Sequence, residues 1–270
     1  MVLSAMPDLS KRSASVVLKW SASVVAVGLL VSVAAHADEI RVMTSGASAA
    51  AYQALAPEFE RATHHTLKTE AISTGVGTDA IPARVRRGDP VDVVMLARAA
   101  LDDLIKEGKI VADSRVDLAR SSIGVAVRAG APTPDIGTVD ALKRLLLQAK
   151  SIAYSAQVSG TYLSTELFPR LGISSEIAAK TIRVEREPVG NVVARGEAEI
   201  GFQQISELLP VKGITFVGPL PADAQRVTVF SAGIASASTH PEAARAFLAL
   251  LKSPAGIRAM KNSGLDPIGQ

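Results

Sequence analysis

The sequence predicts an α/β protein of two lobes, with mixed sheets, helices on both faces of the sheets and a cleft between the lobes. Short β-branched apolar runs alternate with longer helical segments, a pattern typical of parallel strands joined by crossover helices. Two apolar runs, 122–127 and 227–235, bracket the middle of the chain and are candidates for strands that pass between the lobes. A single doubly wound sheet is the alternative architecture.

The part of the chain after residue 37 begins with three strand and helix pairs. Runs of alternating or continuous apolar residues indicate the strands, and apolar residues at helical spacing indicate the helices. The predicted strands are 40–43, 67–71 and 91–95, and the predicted helices are 47–63, 79–87 and 99–107.

The rest of the chain continues the alternation. The predicted strands are 123–127, 151–154, 181–184, 200–202, 214–217 and 227–235, and the predicted helices are 139–148, 160–171, 189–196, 241–251 and 255–263. This order predicts a discontinuous first lobe, made of 38–121 with 231–270, and a continuous second lobe, made of 122–230.

Residues 1–37 have the pattern of a secretory signal peptide. Lys11, Arg12 and Lys19 form a basic start, an apolar run of about a dozen residues follows, and Ala35-His36-Ala37 fits a small-x-small cleavage site. The apolar run is shorter than the roughly 20 residues that a membrane span needs. We therefore expect export to the periplasm, cleavage near Ala37 and no membrane insertion of the mature chain.

Charge and composition exclude several classes of function. Without the leader, 26 Lys and Arg stand against 25 Asp and Glu, so the chain lacks the excess positive charge that a nucleic-acid partner favours. Only 4% of the residues are aromatic, which argues against a stacking surface for sugars or bases. The chain has no cysteine, and its histidines lack the spacing of a zinc site, so we expect no metal and no cofactor.

Three loops rich in Gly, Ser and Thr each follow a predicted strand and precede a predicted helix. Ligands of open α/β sheets bind at this edge, where the amides of a helix N-terminus attract anions. An ordinary helix cap or a flexible connection is the alternative for each loop. The candidate ligand-binding residues are Ser45, Gly46 and Ser48 in the first loop, Gly77 and Thr78 in the second, and Ser155, Ser159, Gly160 and Thr161 in the third.

Other polar residues are candidates for the same cleft. Gln204 ends a short apolar strand, and its amide both donates and accepts hydrogen bonds, so it can orient an oxyanion. Arg84 and Arg98 are candidate partners for a ligand carboxylate. The sequence identifies no nucleophile, metal site or acid and base pair, which favours a binding protein over an enzyme and leaves any catalytic residue unidentified.

The chain resembles the molybdate-binding-like periplasmic solute-binding proteins of ABC importers. The resemblance depends on Ser45-Gly46-Ala47-Ser48, the loop that ends at Thr78, the stretch 87–94, Ser159-Gly160 and the stretch 194–201. It implies the type 2 periplasmic-binding-protein fold, a monomer that closes by hinge bending, and an ABC permease as partner. It also implies that Ser45 and Thr78 bind the anion from the first lobe and Ser159 from the second.

A departure from the family leaves the ligand open. The family's molybdate binders usually carry a tyrosine where this chain has Gln203-Gln204, so either a molybdate-like oxyanion or an organic carboxylate is expected. The chain is also similar to the periplasmic aconitate isomerases of the same superfamily, through the stretches 42–46, 100–106 and 201–210. That similarity implies, as the alternative function, a cofactor-free interconversion of trans- and cis-aconitate. Such an isomerase needs a base beside the reacting carbon, which the sequence does not identify.

Overall fold

The computed structural model describes residues 37–72 and 77–269, so residues 1–36 of the predicted leader lie outside it. The strands are β1 Glu39–Thr44, β2 Thr66–Ile72, β3 Val93–Ala97, β4 Val116–Ser121, β5 Ile123–Arg128, β6 Ile152–Ser155, β7 Thr181–Val184, β8 Ile200–Gln204, β9 Ile214–Pro219, β10 Thr228–Ile234 and β11 Asp266–Pro267. The α-helices are α1 Gly46–Thr63, α2 Ile81–Arg87, α3 Arg98–Lys106, α4 Val139–Gln148, α5 Val158–Tyr162, α6 Phe168–Arg170, α7 Ser174–Ile177, α8 Val189–Ala194, α9 Ile205–Leu208, α10 Pro241–Lys252 and α11 Pro254–Asn262. None of the helices in these ranges is both long and apolar enough to cross a membrane.

The first sheet has six strands in the order β11-β4-β10-β3-β1-β2. β1 is parallel to β2 and β3, whereas β10 is antiparallel to both β3 and β4. All five residues of β3 are buried, because helices cover both faces of the sheet at its centre. The sheet is therefore mixed, and its strands come from both ends of the described chain.

The second sheet has five strands in the order β7-β6-β8-β5-β9. β6 is parallel to β7 and β8, and β5 is antiparallel to β8 and β9. All of its strands lie between those of the first sheet in the sequence, so the two sheets are built from separate parts of the chain.

The chain passes from one sheet to the other between strands. It leaves the first sheet at Ser122, between β4 and β5, and returns through 220–227, between β9 and β10. The predicted strand 227–235 therefore does not cross between the sheets, because β10 completes its hydrogen bonds within the first sheet alone. The lobe boundaries proposed from the sequence stay a prediction.

Each sheet has its own large apolar core. In the first, Phe59 and Phe247 meet edge to face with ring centroids 5.3 Å apart, between α1 and α10. In the second, Ile123, Phe168 and Phe202 belong to one buried cluster. Each such side chain contributes about 1.5–3 kcal/mol when it is fully buried, so the two cores stabilise the sheets separately.

Several elements differ from the sequence-based expectation. The predicted helix 160–171 begins at Val158 instead, and a π-helical turn, Leu163–Leu167, separates α5 from α6. The prediction missed β4, β11, α7 and α9. β4 carries Asp117 and Arg120 and so lacks an apolar run, and α9 has only four residues, too few for a helical period to be visible.

Candidate functional site

The site begins at the N-terminus of α1, directly after β1. The backbone N–H of Ser45 donates to the carbonyl of Met95 at 2.8 Å, which fixes the start of α1 against β3. The Ser45 side chain does not cap the helix, and its hydroxyl lies 3.4 Å from that of Ser48. Both serines are buried. An 18-residue helix thus presents its first amides and two hydroxyls at one point, which suits an anion.

Helix α9, which follows β8 of the second sheet, meets α1 at this point. The carboxyl group of Glu207 lies against Gly46 so closely that a Cβ at position 46 would overlap Oε1 and lie 3.0 Å from Cδ. Only glycine leaves room for this contact. Parts of the chain that belong to different sheets therefore touch at the N-terminus of α1.

Glu207 is a buried acid, with only 8% of its surface exposed. Burial raises the pKa of its carboxyl to about 8, while a hydrogen bond from the Gln203 side chain acts in the opposite direction. Oε1 of Gln203 accepts a hydrogen bond from the backbone N–H of Val189 at 2.7 Å. The NH₂ group of the same amide donates to the carboxyl of Glu207. The carboxyl group is consequently mostly protonated at neutral pH, beside a helix end that favours negative charge.

The loop between β6 and α5 is the part of the candidate site that comes from the second sheet. The Ser155 hydroxyl accepts from the backbone N–H of Gln157 at 3.1 Å, and Ser159 is buried one turn further on. A Cβ at Gly160 would overlap the carbonyl oxygen of Ser155, so α5 packs directly onto the end of β6. α5 also packs against β8, the strand that ends in Gln204.

Four buried side-chain atoms have no hydrogen-bonding partner among the described residues: Ser121 Oγ, Ser159 Oγ, Gln204 Oε1 and Ser206 Oγ. The amide of Gln204 does reach Thr228 Oγ1 at 3.3 Å, and Thr228 pairs with Ser121 between β10 and β4. A buried polar atom without a partner costs about 1–3 kcal/mol. Such atoms are expected where a polar ligand completes the hydrogen bonds.

A cavity of about 670 Å³ has neighbours of some of these residues in its wall. Its wall includes Thr228, the partner of Gln204, and Ala97, which packs against Ala47 in the first turn of α1. The cavity therefore lies between the start of α3 and the start of α5, beside the residues that lead into β10, and its size is within the range of small-molecule sites. Of the site residues predicted from the sequence, Arg98 and Thr161 line this cavity. Its lining does not include Ser45, Gly46, Ser48, Ser155, Ser159, Gly160 or Gln204. Within the ranges that the structure describes, no group of three or more His, Asp or Glu side chains is placed to hold a metal ion.

Two cations line the cavity. Arg98 pairs with Asp117 at 3.1 Å and with Asp102 at 3.6 Å. Arg226 lies 4.6 Å above the ring of Tyr162 and pairs with Glu166. Thr161 and Arg98 were candidates from the sequence, whereas Arg226 was not, because it lies in the polar connection between β9 and β10 and carries no motif.

The remaining candidates lie elsewhere. Arg84 does not line this cavity, since its guanidinium bonds to Asp89 at 2.8 Å and to the carbonyl of Glu70 at 2.9 Å. Gly77 and Thr78 are exposed, and residues 73–76 of their loop lie outside the described ranges. Ligand binding by these residues stays a prediction.

Residues 40–266 match the family described as bacterial extracellular solute-binding protein, and the chain belongs to this family. It is 47% identical over 230 residues to an aconitate isomerase of Pseudomonas sp, covering 85% of this chain and 88% of that protein. It is 27% identical over 248 residues to the molybdate-binding protein ModA of Azotobacter vinelandii, covering 89% and 95%. A solved Azotobacter vinelandii periplasmic molybdate-binding protein superimposes with a TM-score of 0.69 at 21% identity, over 86% and 100% of the two chains.

These similarities confirm the two-lobed periplasmic-binding-protein fold and the resemblance to molybdate-binding-like solute-binding proteins. Membership of the family makes the chain an exported solute-binding protein with a small ligand. Glu207 was missed by the sequence reasoning, although it lies within the stretch 201–210 that carried the similarity to aconitate isomerases.

Replacing Ser159 with alanine is expected to leave the melting temperature of the unliganded protein unchanged or slightly higher. The substitution removes a buried hydroxyl that has no partner among the described residues, so no hydrogen bond is lost. Differential scanning fluorimetry measures this. Ser231→Ala is the matched control, because the buried Ser231 hydroxyl donates to Asp117 at 2.7 Å and its loss should lower the melting temperature. Equal destabilisation by the two variants would contradict the prediction.

Replacing Glu207 with glutamine is expected to flatten the dependence of stability on pH. The pKa of this carboxyl rises from its ordinary value of 4.5 to about 8 in the folded chain. Between pH 4.5 and pH 8 the native state therefore holds a proton that the unfolded state has released. Wild-type stability therefore falls as pH rises through this window, by up to about 1.4 kcal/mol per pH unit. Urea unfolding at pH 5 and pH 8 measures the loss. Glu176→Gln, at an exposed position, is the control and should keep the wild-type dependence of stability on pH. If Glu207→Gln shows that same dependence, the raised pKa of Glu207 is refuted.

Proposed function

We propose that this chain is a periplasmic substrate-binding protein of an ABC transporter, which captures a small organic carboxylate in the cavity between its two sheets. The observation that carries the proposal is the group of buried polar atoms without a partner among the described residues, of which Ser159 Oγ belongs to a residue between the cavity-lining Val158 and Thr161. Hydroxyl groups and the amides of helix starts donate hydrogen bonds to the oxygens of an anionic ligand, whereas Gln204 Oε1 accepts and matches a donor group on the ligand.

Size and charge favour an organic carboxylate over a molybdate-like oxyanion. A cavity of about 670 Å³ is much larger than a tetrahedral oxyanion. Arg98 and Arg226 line it, and a guanidinium binds carboxylates with two parallel hydrogen bonds. Both arginines are exposed, so their ion pairs with protein carboxylates are weak and can be exchanged for pairs with a ligand.

The remaining parts of the proposal concern the cell. The leader at 1–37 would direct the chain to the periplasm and be cleaved near Ala37, as its basic start and small-x-small site suggest. An ABC permease would accept the ligand from the closed protein. The mature chain would act as a monomer, without a cofactor or metal.

A thermal-shift screen tests the proposal. The ligands are molybdate, tungstate, sulfate, and a series of di- and tricarboxylates that includes both aconitate isomers. Stabilisation by ligand follows RT ln(1 + [L]/Kd), about 2.7 kcal/mol at a hundredfold excess over Kd, and is expected for carboxylates. If only an inorganic oxyanion stabilises the protein, that oxyanion, and not an organic carboxylate, is the ligand. If no anion stabilises the protein, an anion-binding function is refuted.

The second candidate function is isomerisation of aconitate. It is favoured by the 47% identity to an aconitate isomerase of Pseudomonas sp and by the buried acid Glu207 at the candidate site. Purified protein at high concentration should convert trans-aconitate to the cis isomer, followed by chromatography. Binding of trans-aconitate without conversion would leave transport as the function.

A further inference from the structure

We propose that Arg226 anchors a ligand carboxylate in the cavity, and that the carboxylate of Glu166 occupies this anion subsite until the ligand displaces it. The inference rests on the proposed function, the binding of an organic carboxylate, and names the residue that selects for it. Three observations carry it: both side chains line the cavity, Arg226 is held in place, and its guanidinium has donors that the protein does not use.

Arg226 and Glu166 reach the cavity from different parts of the chain. Both line it, together with Tyr162. Arg226 lies in the connection that returns the chain from the second sheet to the first, whereas Glu166 lies in the π-helical turn Leu163–Leu167. Turns of this kind are frequent at functional sites. The two side chains are 48% and 54% exposed, so a dissolved ligand can reach their ion pair.

The position of Arg226 is fixed by contacts within the protein. Its guanidinium carbon lies 4.6 Å from the centroid of the buried Tyr162 ring, a cation–π contact. The Tyr162 hydroxyl donates to the carbonyl of Ala224 at 3.0 Å, which ties the ring to the same connection. The backbone N–H of Arg226 donates to Oε1 of Gln225 at 3.1 Å, and this oxygen also accepts from the backbone N–H of Ile123 at 2.8 Å. A guanidinium held in this way loses little freedom when it binds a ligand.

The ion pair with Glu166 uses only part of the Arg226 guanidinium. Among the residues that the structure describes, Nη2 is the one side-chain nitrogen of Arg226 with a hydrogen-bond acceptor, and that acceptor is Oε2 of Glu166. A ligand carboxylate can accept from two guanidinium nitrogens at once, which is stronger than a single contact. An exposed ion pair contributes little, so a ligand carboxylate can replace Glu166 at small cost.

Arg98 also lines the cavity but is a poorer anchor. Its Nη1 donates to Oδ2 of Asp117 at 3.1 Å, and its Nε lies 3.6 Å from Oδ2 of Asp102. Asp102 in turn accepts from Arg115 at 2.6 Å, so Arg98 belongs to a network of four charged side chains. A ligand carboxylate at Arg98 would lie beside two fixed negative charges, whereas at Arg226 it displaces the one carboxylate that pairs there.

Calorimetry with trans-aconitate and the full mature chain tests the inference. Arg226→Gln is expected to weaken binding by about 10- to 100-fold, the usual contribution of hydrogen bonds to a charged group. Arg226→Lys keeps the charge but not the planar pair of donors, so it should lose less. Arg98→Gln should also lose less than Arg226→Gln, although the two arginines are similarly exposed, at 45% and 48%.

Glu166→Gln gives the sharper result, because binding should become tighter. The substitution removes the internal competitor, and an exposed ion pair corresponds to about a two- to fivefold change in affinity. The double variant, Arg226→Gln with Glu166→Gln, should bind like Arg226→Gln alone, since Glu166 competes only for Arg226. Glu187→Gln is the matched control: Glu187 forms an exposed ion pair with Arg195 at 2.8 Å that does not line the cavity, so this variant should bind like wild type.

The outcomes separate the inference from the function on which it rests. Wild-type affinity of Arg226→Gln overturns Arg226 as the anchor, and unchanged or weaker binding by Glu166→Gln overturns the displacement of Glu166; in both cases carboxylate binding by wild type stands. If trans-aconitate does not bind to wild type, the other di- and tricarboxylates of the thermal-shift screen take its place, and absence of binding by all of them refutes both. If Arg226→Gln does not fold, Glu166→Gln decides, because damage to the fold does not tighten binding.

Discussion

Replacing Gly46 with valine is expected to weaken ligand binding by about 10- to 100-fold. A Cβ at this position would already overlap Oε1 of Glu207, and the two methyl groups of valine add further volume at the contact between α1 and α9. Overpacking of this kind costs about 1–3 kcal/mol, which corresponds to the stated range of affinity. Calorimetry with the ligand found in the thermal-shift screen measures the loss.

The control for Gly46→Val is a glycine in open surroundings. Gly137 lies in an exposed loop, where a Cβ would meet only Asp135 Oδ1 at 3.3 Å, so Gly137→Val should bind like wild type. A double variant, Gly46→Ala with Glu207→Ala, tests the cause of the effect. If the overlap with Glu207 is responsible, the double variant should bind better than Gly46→Ala alone, and additive losses would show that the contact is not the cause.

Replacing Gly160 with alanine is expected to destabilise the fold by about 3 kcal/mol. The added Cβ would overlap the carbonyl oxygen of Ser155 and lie 2.7 Å from its carbonyl carbon and 2.8 Å from Cδ2 of Tyr154. The backbone there cannot move aside, because Ser155 pairs with Val184 of β7 and the next N–H donates to the carbonyl of Val184 at 2.7 Å. Overpacking against fixed backbone is at the upper end of the usual cost.

Thermal unfolding measures the effect of Gly160→Ala. For a chain of this size, a loss of 1 kcal/mol lowers the melting temperature by about 2–4 °C, so a drop of about 6–12 °C is expected. Thr161→Ala changes the next residue, which is exposed, and should melt within about 1 °C of wild type. If Gly160→Ala has the same melting temperature as Thr161→Ala, α5 does not pack against the end of β6 as described.

Part of the site could be predicted from the sequence, because its signals are local. Ser45 and Ser159 follow β-branched runs and precede helical segments, and the structure buries both at helix starts. Gln204 is a candidate because it ends an apolar strand, and it also is buried. In each case the strand and the adjoining helix define the position of the residue without reference to the rest of the chain.

Other parts of the site could not be predicted, because distant contacts define them. Arg84 was a candidate for binding a carboxylate, but Asp89 and the carbonyl of Glu70 occupy its guanidinium. Arg226 reaches the cavity from a connection without regular structure, and its position above Tyr162 depends on the packing of the second sheet. Neither the ion pair nor the ring contact is visible as a spacing in the sequence.

The sequence alone determined the α/β class, the order of most strands and helices, and the helix starts suited to an anion, since these follow from periodicity and from backbone preferences of neighbouring residues. Only the tertiary structure decided that Glu207 is buried against Gly46, and therefore that an acid with a pKa of about 8 lies at the candidate site. The physical reason is that desolvation depends on which distant groups exclude water from a side chain, and this is settled only when α1 and α9 pack together.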